Sequence, residues 1–338
     1  MRKRNRRGGG RFSLFGGVLM ISVLLSCIAT AQAQSKDGKE TMRIKEYPVK
    51  FDPQLGAGIA RIGEGKLHQV EVTLVEIPPG KQMSPQRDLA EEMIYIVSGQ
   101  GYTLMWNEAD GTKVRYEWKE GDLLSPSLNA WRQHFNASSS QPARYVAVST
   151  APLTRKMFHN TAFLNSVEFS FDERWKDSVG LEPRYIPGGE GAESVRMKVG
   201  HLLPSLPNRT MADRRAGMLG ITITPEGDMA SNHLLEMEVR EFMRDDATSP
   251  QHRHVWETVY FILKGDGYAT LQKGDEPERR IDWTEGDLFL VEANEYHNHR
   301  PRGGSRGRFL QIKASGYFRG VGIDPYLMQN RPGSTPLE

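Results

Sequence analysis

The sequence predicts an all-β protein that uses one structural unit twice. Short runs rich in β-branched and aromatic residues end in Gly- and Pro-containing turns, the pattern of strands and hairpins. Glycine and proline are abundant, 34 and 19 of 338 residues, which favours short strands over long helices. The same order of segments also recurs at a nearly fixed offset. Glu92–Val97, Ser98-Gly99-Gln100-Gly101 and Tyr102 line up with Thr258–Leu263, Gly265-Asp266-Gly267 and Tyr268, 166 residues later. Gly121-Asp122-Leu123 and the run from Asn129 to His134 line up with Gly286-Asp287-Leu288 and Asn294 to His299 at an offset of 165. An offset that holds over two separate motifs is the signature of duplication.

In chain order, the first residues stand apart. Arg2, Lys3, Arg4, Arg6, Arg7 and Arg11 form a basic stretch without an acid, Phe12–Ala31 is apolar, and Ala31-Gln32-Ala33 is an Ala-x-Ala cleavage sequence. This reads as a signal peptide over 1–33 and predicts an exported protein, periplasmic or secreted, with no membrane span after processing. Leu24-Leu25-Ser26-Cys27 adds a second possibility, a lipoprotein anchored at Cys27, the single cysteine of the chain. A mature chain with no other cysteine has no disulfide and no thiolate ligand or nucleophile. Taking the six basic leader residues from 44 leaves 38 against 42 acidic ones, a balance of −4, which gives nucleic-acid binding no electrostatic support.

The first unit is read over 42–155. Its start to about Lys66 looks loop-rich. His68–Ile77 alternates, with Val70, Val72 and Leu74 on one face, and strands follow at 92–97, 102–106, 114–118 and 144–149. A connector over 156–200 carries Phe163, Val167, Phe171 and Trp175 at a spacing of four, which predicts a short helix or a docking segment, and Leu181–Asn208 reads as a linker. The second unit spans 201–325, with strands at 234–239, 259–263 and 309–314. Residues 326–338 read as a loose tail.

The chemistry concentrates in the second unit. In Gln251-His252-Arg253-His254-Val255-Trp256-Glu257-Thr258, read as the start of a strand, His252 and His254 share a face. Trp256 and Thr258 share it too, and Glu257 points outward. His297 and His299 repeat the same parity on a neighbouring strand. Neutral imidazoles converging from two strands suit Fe(II), Mn(II), Ni(II), Cu(II) or Zn(II).

His-x-His, a downstream glycine, then Gly-Asp and a late histidine resemble the two sequence motifs of the cupin superfamily, and the doubled pattern resembles a bicupin. The resemblance implies two tandem jelly-roll β-barrels joined by a helical or loop connector. Counting from Gly265 and Gly286 onto the family's ligand positions assigns His252, His254 and His297 to the metal. The glutamate position falls on Thr258. His299 follows as in the Trp-His-x-His arrangement of gentisate-type ring-cleaving bicupins, where it implies a fourth ligand or a base. Thr258 and Tyr260 would line the pocket beside Trp256. Three neutral ligands leave the metal its full charge, which favours an anionic bidentate substrate. The same count in the first unit gives Gln86, Asp88 and Glu92, with Arg132 in place of the late histidine and His134 two residues on. There we expect Arg132 to pair with Asp88 or Glu92, in a structural or oligomer-forming barrel.

The functional expectation is a mononuclear, Fe(II)-type dioxygenase-like enzyme for a small oxygenated or aromatic acid. A non-catalytic module binding a small sugar or acid, and an isomerase or lyase using the metal as Lewis acid, are the alternatives, because this fold hosts many chemistries.

Overall fold

Strands form where the sequence alternates, and they are interrupted where glycine or asparagine turns the chain. The computed structural model describes residues 40–108, 111–186, 195–214, 218–223, 232–243, 248–323 and 329–330. The leader with its Ala31-Gln32-Ala33 sequence, Cys27 and the last eight residues of the tail lie outside the described residues. The first unit contains β1 (Met42–Arg43), β2 (Lys50–Asp52), β3 (Ala57–Ile62), β4 (Glu71–Ile77), β5 (Glu92–Ser98), β6 (Gln100–Trp106), β7 (Val114–Lys119), β8 (Leu123–Leu124), β9 (Trp131–Asn136) and β10 (Ala143–Ser149). The connector holds α1 (Ala151–Phe158), α2 (Thr161–Ser166), α3 (Asp172–Ser178), β11 (Arg184–Tyr185), β12 (Met197–Lys198) and β13 (Leu202–Leu203). The second unit holds β14 (Ala212–Arg214), β15 (Met218–Ile223), β16 (Glu236–Phe242), β17 (His252–Arg253), β18 (Thr258–Lys264), β19 (Asp266–Lys273), β20 (Arg279–Thr284), β21 (Asp287–Val291), β22 (Glu295–Pro301), β23 (Arg308–Lys313), α4 (Ser315–Gly320) and β24 (Gln329–Asn330). None of the described helices is long and apolar enough to cross a membrane.

Each unit opposes a large sheet to a small one, the two-sheet arrangement of a jelly roll. In the first, β13-β8-β5-β10-β4-β3-β2 faces β7-β6-β9. In the second, β1-β21-β18-β23-β16-β15-β14 faces β20-β19-β22-β17-β24. Two edge strands are exchanged. Met42 and Arg43, read as part of the first unit, pair with Leu288 and Asp287 of the second. Leu202 and Leu203, read as part of the second, pair with Leu124 and Leu123 of the first. Residues 329–330, read as loose tail, pair with His252 and Arg253.

The duplication is visible residue by residue. Asn129 and Asn294 both adopt a left-handed backbone, φ 58° and 61°, and their N–H groups donate to the carbonyls of Asp88 and His254 at 3.1 and 2.7 Å. Gly101 and Gly267 sit beneath Trp118 and Trp283. A Cβ at either would come within 2.0 or 2.2 Å of the facing strand's carbonyl oxygen, which only glycine avoids.

Alternation decides which core a residue joins. On β18, Val259, Phe261 and Leu263 pack with Leu310, Ile312, Met237 and Val239 against Val72, Leu74, Met93, Tyr95, Val146 and Val148 of the first unit. This is the seam between the barrels. Tyr260 and Ile262 point the other way, into the second barrel with Phe289, Trp283 and Phe309. Ile94, Ile96, Met105 and Tyr145 do the same in the first.

A pair of glutamates fastens the seam. Glu257 is buried and its carboxylate accepts from the backbone N–H groups of His68, Gln69 and Val70 at 2.7, 2.8 and 3.3 Å. It turns away from the His252/His254 face as expected, but into the neighbouring barrel rather than into water. Glu91, its counterpart 166 residues earlier, is also buried and accepts from the backbone of His233 and Leu234 while pairing with Arg174 at 2.5 Å.

The connector is not one helix. Asn160 caps α2 by accepting from the N–H groups of Ala162 and Phe163, and α3 follows after a break. Of the four residues spaced by four, Trp175 is driven fully into the core. The stretch read as a linker is anchored too. His201 is buried between Tyr116 Oη at 2.7 Å and Ser127 Oγ at 2.8 Å, and Trp175 packs on its ring, so the connector plugs the first barrel. Residues 187–194 of that stretch lie outside the described residues.

Candidate metal centre

Three histidines meet inside the second barrel. Strand β17 is only two residues long, and the chain leaves it at His254 and bends through Val255 and Trp256 before β18 begins. The expected single strand from His252 to Leu263 is therefore broken. His252 pairs across the sheet with His297 of β22. Their rings lie 4.4 Å apart, and His254 lies 4.8 Å from His297 and 5.8 Å from His252. One ring nitrogen from each falls within 4.8 Å of the other two.

The hydrogen bonds fix which nitrogen is offered. Nδ1 of His252, His254 and His297 lies 2.8, 2.8 and 2.9 Å from the carbonyl oxygens of Pro250, Trp256 and Glu295. A carbonyl only accepts, so each Nδ1 carries the proton and each Nε2 presents a lone pair. Backbone carbonyls orienting metal-binding imidazoles in this way are the usual outer support of such sites. Burial, followed by the mutual proximity of the rings, holds His254 and His297 well below the ordinary imidazole range, and burial with the Lys313 charge lowers His252. All three are thus neutral and ready to bind a cation.

The residues present fit a divalent transition metal. Nε2 of His297 is buried with no partner, as are Nε2 of His299, Nε1 of Trp256 and Oγ1 of Thr258. A buried polar atom without a partner costs roughly 1–3 kcal/mol, and four of them around one cluster call for a ligand. Trp256 stacks on His254, 4.5 Å between centroids and 13° between planes, which holds that ring in place. No carboxylate joins the group among the described residues, in line with Thr258 at the glutamate position.

His299 is placed differently from its neighbours. Its ring packs against Tyr260 at 4.6 Å and Phe309 at 5.3 Å, deeper in the barrel, and it is absent from the three-nitrogen group. Burial lowers it to about 3, so it is a neutral group facing the site from below. Tyr260 stacks on Phe289 at 4.8 Å, and burial first, then Glu238, raise its hydroxyl, so it stays protonated.

One set of residues escaped the sequence reading. On β16 and β23, Glu236, Glu238, Arg240, Gln311 and Lys313 are all buried inside the same barrel. Arg240 and Gln311 both bond Glu238, and Lys313 lies 3.1 Å from Glu236 and 3.4 Å from Glu238. Lys313 stands opposite Thr258 in the sheet and 5.3 Å from the Trp256 ring.

In the first barrel the corresponding place is filled by an internal ion pair. Arg132 Nη2 donates to Asp88 at 2.7 Å, and its Nε lies 3.0 Å from Glu92, in charge contact but out of line for a hydrogen bond. The expected pairing with one of these carboxylates therefore involves both. Burial raises Glu92 to about 7 against the pull of Arg132. His134 bonds Thr103 at 2.7 Å and is lowered to about 3 by burial, with Arg132 adding to it. A guanidinium sits where a metal would need a ligand.

Residues 239–313 match the cupin domain family. The second barrel is a cupin. Solved structures extend the likeness across both units, giving the chain the bicupin fold. Salicylate 1,2-dioxygenase from Pseudaminobacter salicylatoxidans is 16% identical with a TM-score of 0.59 over 82% of this chain and 81% of that one. The same enzyme's adduct with gentisate is 15% identical, TM-score 0.58, over 85% and 80%. A mutant of Bacillus subtilis oxalate decarboxylase is 13% identical, TM-score 0.53, over 86% and 79%. At these identities the likeness is one of fold. No curated protein sequence matches the chain.

The buried histidines set the acid stability of the metal-free protein. His134, His201 and His299 are lowered to about 3, whereas the unfolded chain protonates histidine near 6.5. Their stabilisation is complete above about pH 6.5 and is lost as pH falls toward 3. Glu92, raised to about 7, acts oppositely and gains as pH falls to about 4.5. At about 1.4 kcal/mol per pH unit each, these three groups outweigh one, and in metal-free protein His252, His254 and His297, also lowered, act in the same direction. The denaturant-derived stability of metal-free protein should fall by on the order of 2 kcal/mol per pH unit below 6.5. A flat profile from pH 7 to 5 would contradict the buried, neutral state of these rings.

Proposed function

We propose that this protein is an exported, mononuclear, Fe(II)-type dioxygenase-like enzyme acting on a small oxygenated or aromatic acid. The observation that carries the reading is a set of three Nε2-presenting histidines without a carboxylate, beside buried polar groups that lack partners. The bicupin likeness to salicylate 1,2-dioxygenase supports it.

His252, His254 and His297 would hold the metal, which supplies Lewis acidity and access to dioxygen chemistry when bound. The chain's own residues do the rest. Backbone carbonyls fix the three imidazoles, and Trp256 braces His254. Thr258 and Trp256 offer a hydroxyl and an indole N–H to the substrate. The neutral His299 ring keeps a buried, unpartnered Nε2 behind the site, as a further ligand or base. Tyr260, Phe289 and Phe309 exclude water there.

An oxygen electrode tests the reading. Protein loaded anaerobically with Fe(II) should consume O₂ when given gentisate, salicylate or a β-diketone. Turnover under strict anaerobiosis would instead place the protein with the Lewis-acid isomerases and lyases. Substrate-induced thermal stabilisation without turnover would make it a binding module. Export is checked by the N-terminus of the mature protein, expected after Ala33.

A further inference from the structure

A cavity outside the metal centre lies at the seam between the two units. Its volume is about 370 Å³, within the range of small-molecule sites. Residues at matching places in the repeat line it in pairs: Tyr95 and Phe261, Val97 and Leu263, Glu120 and Glu285. The rings of Tyr95 and Phe261 lie 5.5 Å apart, so the cavity sits where the duplicated barrels close on each other. The first two pairs give it an apolar floor, and the third puts one carboxylate from each unit on its rim.

The pairing breaks at one hydroxyl. Phe261 shows that the seam closes around a plain phenyl ring, yet its counterpart is a tyrosine. Tyr95 is only 9% exposed and packs in the shared core, and among the described residues its Oη has no hydrogen-bond partner. Burial first, then the charges of Glu120, Glu285 and Asp122, keep it protonated. Two of those carboxylates are on the rim, which places the hydroxyl at the cavity. A largely buried hydroxyl without a partner is costly, so this one points to a ligand. The rim charges indicate which kind. Lys45 pairs with Glu120 at 2.5 Å and Arg43 with Asp287 at 3.3 Å. Lys264 bonds the amide oxygen of Asn208 at 2.7 Å and has no carboxylate. Arg43 takes the backbone carbonyl of Glu285 at 3.1 Å, and the Glu285 carboxylate meets no cation among the described residues. One unmatched charge of each sign therefore borders an apolar floor. A bare amine would be repelled by Lys264 and a bare acid by Glu285, whereas a zwitterion matches both.

We propose that this seam cavity binds a free α-amino acid with an apolar side chain. Glu285 and Tyr95 Oη take its ammonium, Lys264 takes its carboxylate, and Phe261, Val97 and Leu263 receive the side chain. Charge-assisted hydrogen bonds at both ends give the selectivity. The site is separate from the histidine centre and does not depend on the dioxygenase reading.

Isothermal titration of metal-loaded protein tests it with three probes: L-phenylalanine, phenethylamine, which lacks the carboxylate, and 3-phenylpropionate, which lacks the amine. L-phenylalanine should bind with a Kd below ~1 mM and at least ~10-fold more tightly than either analogue. Glu285→Gln and Lys264→Met, both at the rim, should each weaken it by ~5–20-fold. Tyr95→Phe, which repeats the side chain already tolerated at 261, should weaken it by ~3–10-fold. All three variants should keep the metal content of wild type. The His252→Ala, His254→Ala double variant should bind L-phenylalanine within ~2-fold of wild type, which separates this site from the metal centre. The proposal is overturned by no binding up to ~10 mM, by an analogue that matches L-phenylalanine, by unchanged affinity in Glu285→Gln or Lys264→Met, or by loss of binding in the histidine double variant.

Discussion

Replacing His252 and His254 together by alanine should strip the protein of its metal and leave the fold standing. Two of the three neutral donors disappear, and a lone His297 cannot hold a divalent ion against water. Metal content after loading and desalting should fall from about one equivalent to below about a tenth. The fold should tolerate the change, because β17 is only two residues long and His252 is only partly buried. His254 gives up its stacking on Trp256, a packing loss of about 1–2 kcal/mol, within the 5–15 kcal/mol typical of a domain. Metal should raise the thermal midpoint of wild type by mass action and do nothing for the variant. Elemental analysis and circular dichroism on the same sample settle the matter. A well-folded variant that retains its metal would end the assignment of these residues.

The site was legible in the sequence because strand geometry leaves little freedom. Parity placed His252, His254, Trp256 and Thr258 on one side, and the turn glycines set the register that brings His297 opposite His252. Parity alone could not separate His297 from His299. Two residues along a strand advance about 6.6 Å, enough to carry the second ring out of the cluster and into the aromatic floor. His252 and His254 escape this separation because the chain bends immediately after β17, and such bends leave no periodic trace.

The larger surprise is the charged wall. Glu236-Met237-Glu238-Val239-Arg240 alternates cleanly, and a strand was the right inference. Alternation says that two faces differ and is silent on which one meets water. Here the apolar face meets the other barrel and the charged face lines the interior. Glu257 follows the same logic, with its parity right and its surroundings inverted by the neighbouring unit. The exchanged edge strands β1 and β13 were out of reach for another reason, since two residues carry too short a pattern to reveal a partner in the other unit. Strand β3 was hidden among glycines that read as loop.

That inversion is what gives Glu257→Ala its expected effect, a loss of about 3–4 kcal/mol of stability. The carboxylate is buried and serves three consecutive N–H groups, those of His68, Gln69 and Val70, with no cation among these contacts. Alanine leaves all three without an acceptor at a point where two barrels close on each other. Each buried, unpaired donor costs roughly 1–3 kcal/mol, and relief from burying the carboxylate itself offsets part of the total. Glutamine keeps one carbonyl acceptor in place and should recover about half. Glu91→Ala should act in the same direction, leaving two N–H groups and Arg174 unserved. Urea midpoints on metal-free protein read the effect without interference from the centre that Glu257 adjoins. A change below about 1 kcal/mol for Glu257→Ala would mean that water substitutes for the carboxylate, and that the apolar seam alone holds the barrels together.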